Sequence, residues 1–413
     1  MPYFPSRDHW DAKSPAELGL APDTLAAAID YHKSHETAWR RDFLTASGRY
    51  IGVADEPPAP DDVLGPVEPR QGPNGLVLRH GVIAAEWGDT ARVDMTFSIA
   101  KSYLSVLAGV AVDRGLIRDL DEPVHAYGLD DGFDSAQNRS VTWRHLLQQT
   151  SEWQGTLWGK PDSIDHNRNL GQSELGFADK GTPRPMRAPG SYWEYNDVRV
   201  NRLSLSLLRL FRRPLAAVLK DAVMDPVGAS DTWQWQPYRN AWVEIDGVRM
   251  PSVPGGSHWG GGLWIGSRDH ARFGLLMLRR GDWRGQKLLS ESWIEEMRRP
   301  CPINPGYGLL WWLNTGRAPM AFAPESSYSA RGAGSNVIWI DPEHDLVVVV
   351  RWIDRGHVEP FLRLIVESVK GGETRRGALP PFRCLPPKRI APAKPALERR
   401  LLRHAPRRML SVS

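Results

Sequence analysis

Strand-like runs near both ends of the chain, with helical periodicity between them, constrain the fold most. Gly75-Leu-Val-Leu-Arg-His-Gly-Val-Ile-Ala-Ala-Glu-Trp-Gly reads as two strands joined at His80-Gly81, where glycine accepts the turn conformation. Far downstream, Asn336-Val-Ile-Trp-Ile and Leu346-Val-Val-Val-Val-Arg-Trp flank an Asp341-Pro-Glu-His-Asp turn and read as adjacent antiparallel strands. Pro22-Asp-Thr-Leu-Ala-Ala-Ala-Ile-Asp-Tyr-His spaces apolar residues as a helix does, with Asp23 or Thr24 as its N-cap, and Val358 to Val369 reads as a closing helix. Tyr103, Leu104, Leu107, Ala108, Val110 and Ala111 predict a buried helix that ends near Gly115. From Val141 to Leu219 the pattern is mostly helical, most clearly from Asn196 to Leu210. The expected class is α+β: one antiparallel sheet completed by both ends of the chain, with a helical insertion above it.

Ser98-Ile-Ala-Lys101 stands at the mouth of the first buried helix, and no GxSxG occurs anywhere. A serine three residues before a lysine on a first helical turn puts hydroxyl and amine on one face. That geometry lets an amine, without a histidine, serve a serine nucleophile.

Length and composition narrow the function classes. At 413 residues the chain suffices for one composite catalytic unit or two interlocked subdomains. Its 18 tryptophans, many between Trp233 and Trp352, are core and groove lining or else an aromatic substrate pocket. Met1-Pro-Tyr-Phe-Pro-Ser-Arg-Asp-His has no apolar core and no small-residue cleavage site, and no run of about 18 apolar residues occurs, so a cytoplasmic protein with no membrane span is expected. Cys301 and Cys384 are too few for a disulfide framework or a cysteine metal site. The histidines show no HExxH-type spacing, so neither a metal nor a cofactor is inferred. Residues 371–413 hold 11 Lys/Arg against 2 Asp/Glu, a net +9, which leaves about −5 for residues 1–370 out of the whole chain's +4. That proline-rich tail reads as an exposed or loosely docked extension, and contact with nucleic acid is the lesser reading.

Four ordered segments resemble the serine β-lactamase-like hydrolases: class C β-lactamases, D-alanyl-D-alanine carboxypeptidases, family VIII-type esterases of the same fold, and related amide hydrolases. They are Phe97-Ser-Ile-Ala-Lys-Ser with Gly115-Leu-Ile-Arg-Asp-Leu-Asp-Glu-Pro-Val after it; Val141-Thr-Trp-Arg-His-Leu-Leu-Gln-Gln-Thr-Ser; Pro189-Gly-Ser-Tyr-Trp-Glu-Tyr-Asn-Asp in the place of a Tyr-x-Asn motif; and Gly260-Gly-Gly-Leu-Trp-Ile-Gly-Ser-Arg-Asp-His-Ala-Arg-Phe with the terminal strands. The resemblance spans about residues 20 to 370 and implies an antiparallel sheet flanked by N- and C-terminal helices, an all-helical subdomain, and an active site in the cleft between them. The domain reading is a catalytic unit over 1–370, its sheet part about 20–95 and 255–370 and its helical part about 96–254, followed by the 371–413 extension.

The resemblance implies that Ser98 is the nucleophile of an acyl-enzyme, Lys101 its proton partner, and Tyr195 the general base and acid. Two positions depart from the family pattern. Asp197 stands where an amide is usual; a carboxylate can only accept hydrogen bonds and favours the ammonium form of Lys101. Tyr195 is therefore expected to carry more of the base role, with Lys101 and Asp197 an orienting pair, unless Asp197 serves only the helix dipole. Ala330-Arg331-Gly332 aligns with a Lys/His-x-Gly motif, and alanine offers no cation to a substrate carboxylate. Strand alternation points Arg331 to the opposite face, though it stays a substrate-contact candidate. Gly332, Ala333 and Gly334 remain as the substrate strand, with the Ala333 N–H joining that of Ser98 as an oxyanion hole. His258 and Trp259, in a glycine-rich loop, are further contact candidates. The expected activity is hydrolysis of a small-molecule ester or small amide. The alternatives are a β-lactamase or D-Ala-D-Ala carboxypeptidase, or a catalytically silent binding protein on the same fold.

Overall fold

The main sheet draws its strands from both ends of the chain, as the patterning requires. The structure, a computed structural model, describes residues 2–46, 48–51, 63–168, 170 and 179–369; the extension expected over 371–413, with Cys384, lies outside the described residues. Strands β1 (Asn74–Arg79) and β2 (Val82–Trp87) form the expected hairpin, and β12 (Trp312–Leu313), β13 (Tyr328–Gly332), β14 (Asn336–Asp341) and β15 (Leu346–Arg351) complete an antiparallel sheet in the order β12-β13-β14-β15-β1-β2. Gly75 pairs with Val350 and Leu76 with Val349, which closes the two ends of the chain onto each other. Strands β3 (Asp94–Met95), β9 (Gly262–Ile265) and β6 (Gln234–Gln236) make a second small sheet. The pairs β4 (Thr156–Leu157) with β5 (Lys160–Pro161), β7 (Trp242–Ile245) with β8 (Val248–Pro251), and β10 (Asp282–Trp283) with β11 (Gln286–Lys287) are short hairpins. The helices are α1 (Pro22–Ser34), α2 (Ile99–Asp113), α3 (Trp143–Leu147), α4 (Asp197–Phe211), α5 (Leu215–Leu219), α6 (Ser267–Leu278), α7 (Glu291–Met297) and α8 (Val358–Ser368).

Every residue of β1, β14 and β15 is buried, which explains valine-rich runs without polar alternation: both faces of the sheet are covered. Leu76, Leu78, Ile338, Ile340, Val347 and Val349 pack toward α2 and α6. Val77, Val337, Trp339, Val348 and Val350 pack with Leu25 and Ala28 of α1 and Phe361, Leu362 and Ile365 of α8. Each such side chain contributes on the order of 1.5–3 kcal/mol by leaving water.

Three local expectations are refined. Helix α1 begins two to three residues earlier than the capping argument suggested: Ala21 is the N-cap and Pro22 opens the helix, so Asp23 meets the dipole in the first turn. The span between α2 and β9 is helical at its centre, but the hairpins β4–β5 and β7–β8 and strand β6 lie within it. The tryptophans of the last third are mainly core, with Trp259, Trp311, Trp339 and Trp352 among the largest fully buried side chains.

Two features of this frame position the site. Helix α2 is buried from Ile99 through Ala111, so its first turn is fixed against the sheet. Strand β12 pairs only with Tyr328 and Ser329 of β13, which leaves Ala330 to Gly332 as an open edge beside that turn.

Candidate active site

The first turn of α2 brings serine and lysine together. Ser98 occupies the N-cap position in helical conformation, and its hydroxyl caps no backbone N–H. Instead Lys101 Nζ donates to Ser98 Oγ at 2.7 Å and to Asp197 Oδ1 at 2.5 Å. The residue before the nucleophile candidate, Phe97, has φ of 50°, which is strained for a bulky L-residue. Trp39, Phe43 and Trp352 surround its ring at centroid distances of 5.6, 5.7 and 6.3 Å and hold that conformation in place.

Asp197 is the first residue of α4, behind an Asn196 cap whose side chain accepts from Arg199 N. Its two carboxylate oxygens take different cations: Oδ1 takes Lys101, and Oδ2 takes Arg168 Nη1 at 2.7 Å. Its backbone N–H donates to Asp165 Oδ2 at 2.7 Å. Lys180 Nζ lies 3.3 Å from Asp165 Oδ1 and 2.8 Å from His258 Nε2. The two readings of Asp197, helix terminus and lysine partner, are thus both met by one side chain.

Burial and charge pairing pull the groups of this cluster in different directions. Burial opposes the charge on Lys101, but the Asp197 carboxylate outweighs it and the pKa lies above the usual lysine value. Burial likewise works against the Asp197 charge, yet Lys101 and Arg168 hold its carboxyl well below the usual range. Burial pushes Asp165 up to about 7 and pulls Lys180 down to about 7. Burial and the neighbouring cations keep His258 well below its ordinary value, so the imidazole is neutral. Asp165, Asp197 and His258 offer ligand atoms within 4.8 Å of one another, a spacing that suits a metal ion. Lys101 and Arg168 already place positive charge on the Asp197 and Asp165 oxygens, and Lys180 Nζ occupies Asp165 Oδ1 and His258 Nε2, so the group does not fit a further cation.

Tyr195 lies beneath two cations, Lys101 Nζ 4.6 Å and Arg168 Cζ 5.3 Å from its ring centroid, and stacks on Trp312 at 5.9 Å. A buried ion network holds the turn that carries it. Arg184 pairs with Glu152 and Glu194 at 2.5 Å each, and Arg199 joins Glu152 at 2.8 Å and Asp162 at 3.2 Å. Gln149 adds its backbone carbonyl to Glu194 N and its side chain to Asn196 N. The segment from Val141 to Ser151 therefore serves, with its neighbours, as the buttress of the Tyr195-Asn196-Asp197 turn.

These groups line a cleft of about 490 Å³. Ser98, Tyr195, Asp197, Arg168 and His258 face it from the helical side, and Arg331, Gly332 and Ala333 from the strand side. Trp39, Phe97 and Trp312 give it aromatic walls. Gly332 touches the turn below: a Cβ there would fall 2.2 Å from Thr96 O and 3.3 Å from Ser98 N, so only glycine fits. A Cβ on Gly256 would lie 3.4 Å from Ser98 Oγ, which places the loop before His258 directly over the serine.

Three sequence expectations are corrected. Arg331 does not turn away from the cleft; it lines it, while Ala330 is fully buried in the core with Ile338. Alternation does separate the two residues, but the cleft follows the open edge of β13 round to the α8 face of the sheet. Trp259 is 1% exposed, packs on Tyr238 and is no part of the cleft wall. Gly334, with φ of 68°, packs on the Trp352 ring behind Ala333 and does not line the cleft. Asp165, Arg168, Lys180 and Trp312 were missed, because no local spelling marks residues that only the fold brings together.

A sequence profile of the family described as Beta-lactamase matches residues 85–357. The chain belongs to the Beta-lactamase family. No curated protein matches the sequence. Solved structures with the same fold include EstCE1, a hydrolase with promiscuous acyltransferase activity, at 15% identity over 84% of this chain and 99% of that one, with a TM-score of 0.53. A penicillin-binding protein homolog from Caulobacter crescentus matches at 16% identity over 84% of this chain and 97% of that one, TM-score 0.52. An octameric penicillin-binding protein homologue from Pyrococcus abyssi matches at 16% identity over 77% and 76%, TM-score 0.51. Members of the Beta-lactamase family are generally serine hydrolases, and the mixed architecture seen here is their β-lactamase/transpeptidase-like fold. Among the described residues no helix is long and apolar enough to cross a membrane.

Proposed function

We propose that this Beta-lactamase family member is a serine hydrolase that cleaves an ester or small amide through an acyl-enzyme on Ser98. The observation that carries the reading is the 2.7 Å contact from Lys101 Nζ to a Ser98 hydroxyl that does no capping work, at the floor of the cleft. Lys101, held as an ammonium by Asp197, donates to Ser98 Oγ and favours its alkoxide. Because that lysine already carries its proton, Tyr195 acts as the phenolate: its oxygen takes the serine proton and becomes the phenol as Oγ attacks the carbonyl carbon. The backbone N–H groups of Ser98 and Ala333 receive the oxyanion. Tyr195 returns the proton to the leaving oxygen or nitrogen, and water repeats the sequence on the acyl-enzyme to release the acid and Ser98. A β-lactam or peptidyl-D-alanine substrate is less supported, because Ala330 places a methyl in the core where that chemistry uses a cation.

The test is mass spectrometry of the intact protein after exposure to a fluorophosphonate probe, with turnover of a short p-nitrophenyl ester measured in parallel. One adduct on Ser98, absent in Ser98→Ala, together with turnover, is the expected result. Absence of both adduct and turnover would overturn this reading in favour of a silent binding protein.

A further inference from the structure

The strand side of the cleft holds a cation that the catalytic reading does not use. Arg331 pairs with Val337 across β13 and β14 and stands on the α8 face of the sheet. There the cleft continues past the strand edge, lined by Met320, Val337, Val358, Glu359 and Arg355. Met320 and Val337 belong to the apolar layer beneath α8, so apolar side chains line this arm beside the charged ones.

Arg331 Nε donates to Ser329 Oγ at 2.9 Å, and among the described residues its two Nη groups meet no acceptor. Burial and the neighbouring Arg355 draw its pKa down to about 10 against the attraction of Glu359, and the guanidinium keeps its charge. Arg355 stands near it and directs one Nη to the Leu170 carbonyl. Glu359, in the first turn of α8, faces the same arm and attracts the Arg331 charge, but among the described residues no ion-pair contact joins them. The first turn of an eleven-residue helix also presents its positive end there.

We propose that this arm is an anion subsite, in which Arg331 grips a substrate carboxylate separated from the scissile carbonyl by an apolar span. The guanidinium fork matches a carboxylate in a bidentate manner, and a low-dielectric wall strengthens that pairing. The subsite is distinct from the place of Ala330, which faces the core on the other side of the strand. The role of the bound molecule as substrate rests on the Ser98 reading; the anion binding does not.

The experiment titrates full-length Ser98→Ala protein calorimetrically with α,ω-dicarboxylic acid monoamides, from succinic to suberic, against the matching diamides. At least one monoamide is expected to bind about tenfold tighter than its diamide, with a preference that weakens as salt rises. That preference should vanish in Arg331→Gln and survive in part in Arg331→Lys. Equal affinity for acid and amide across the series, or a preference untouched by Arg331→Gln and by salt, would overturn the subsite. The salt dependence is read on unaltered Arg331, so a misfolded variant does not blunt the test. A parallel kinetic comparison of p-nitrophenyl hemi-esters of the same diacids with neutral alkanoate esters keeps the two proposals apart. Turnover without anion preference in either assay sinks the subsite alone. Anion binding with neither turnover nor Ser98 labelling sinks the hydrolase reading alone.

Discussion

The two walls of the cleft treat charge in opposite ways. On the helical wall Lys101, Asp197, Arg168, Asp165 and Lys180 form one chain in which each charge meets another. On the strand wall the surface is mostly backbone and apolar side chain, and among the described residues Arg331 makes no ion-pair contact, Glu359 attracting it only from a distance. Buried pairs of the first kind add little net stability, but removing one partner strands the other at a cost of several kcal/mol. Their gain is a fixed geometry and a Lys101 held as the ammonium, which suits a step that is the same for every substrate. A cation without an ion-pair contact waits for a ligand, which suits discrimination between substrates. The difference teaches that chemistry and selectivity lie on separate elements here, so each can be broken without the other.

The largest effect is expected from Ser98→Ala. Turnover of any ester should fall by about 10³-fold or more, while stability changes by less than about 1 kcal/mol because the hydroxyl caps nothing. Steady-state rates beside thermal unfolding check both halves, and residual turnover within tenfold of the parent would remove the serine from its role. Gly332→Ala comes next. Its methyl would sit 2.2 Å from Thr96 O, so β13 must move away from the Ser98 turn. A displacement near 1 Å costs about 10²-fold in rate, and overpacking costs about 1–3 kcal/mol. Wild-type rates in this variant would show that the strand wall does not hold the reacting carbonyl.

Asp197→Asn probes the helical wall more gently. Without the carboxylate, burial and the Arg168 charge act on Lys101 without their main counterweight and its pKa falls. If catalysis uses the ammonium, the alkaline limb of the kcat/KM profile should move to lower pH and the rate at neutral pH should drop about tenfold. An unmoved profile would mean that the lysine charge is not what the reaction reads.

Sequence reasoning reached the local parts of this architecture and stopped at the tertiary ones. The β1–β2 hairpin, the β14–β15 pair and α8 were legible because two-residue periods, turn residues and apolar spacing act within a dozen positions. The Ser98–Lys101 contact was legible because a helix fixes the direction of residues three apart. Asp197 is legible through motif order, and its carboxylate chemistry implies the ion pair with Lys101. Arg168, Asp165 and Lys180 were not found, since their partners lie on elements remote in sequence. Arg331 was misplaced for another reason: alternation gave its face correctly, but not that the cleft would wrap round the strand edge to reach that face.

The smallest effect on turnover should come from His32, on the α1 side of the sheet and apart from both walls. Its Nδ1 accepts from Trp87 Nε1 at 2.9 Å and its Nε2 donates to the Arg351 carbonyl at 3.0 Å, so the ring is neutral and fully used. Burial pulls its pKa from 6.5 to about 4. A pKa lower in the folded than in the unfolded chain stabilises the fold fully above pH 6.5, and that contribution is lost as pH falls toward 4, because the unfolded chain then binds the extra proton. Over that window the loss amounts to about 3 kcal/mol. Denaturant unfolding at stepped pH should therefore show a shallower decline between 6.5 and 4 in His32→Gln than in the parent, with an offset of about 1–2 kcal/mol at neutral pH from the lost hydrogen bonds. Ester turnover at neutral pH should match the parent. A parallel loss of turnover would mean that the α1 face communicates with the cleft, and the division of labour between the two walls would then have to include the layer behind them.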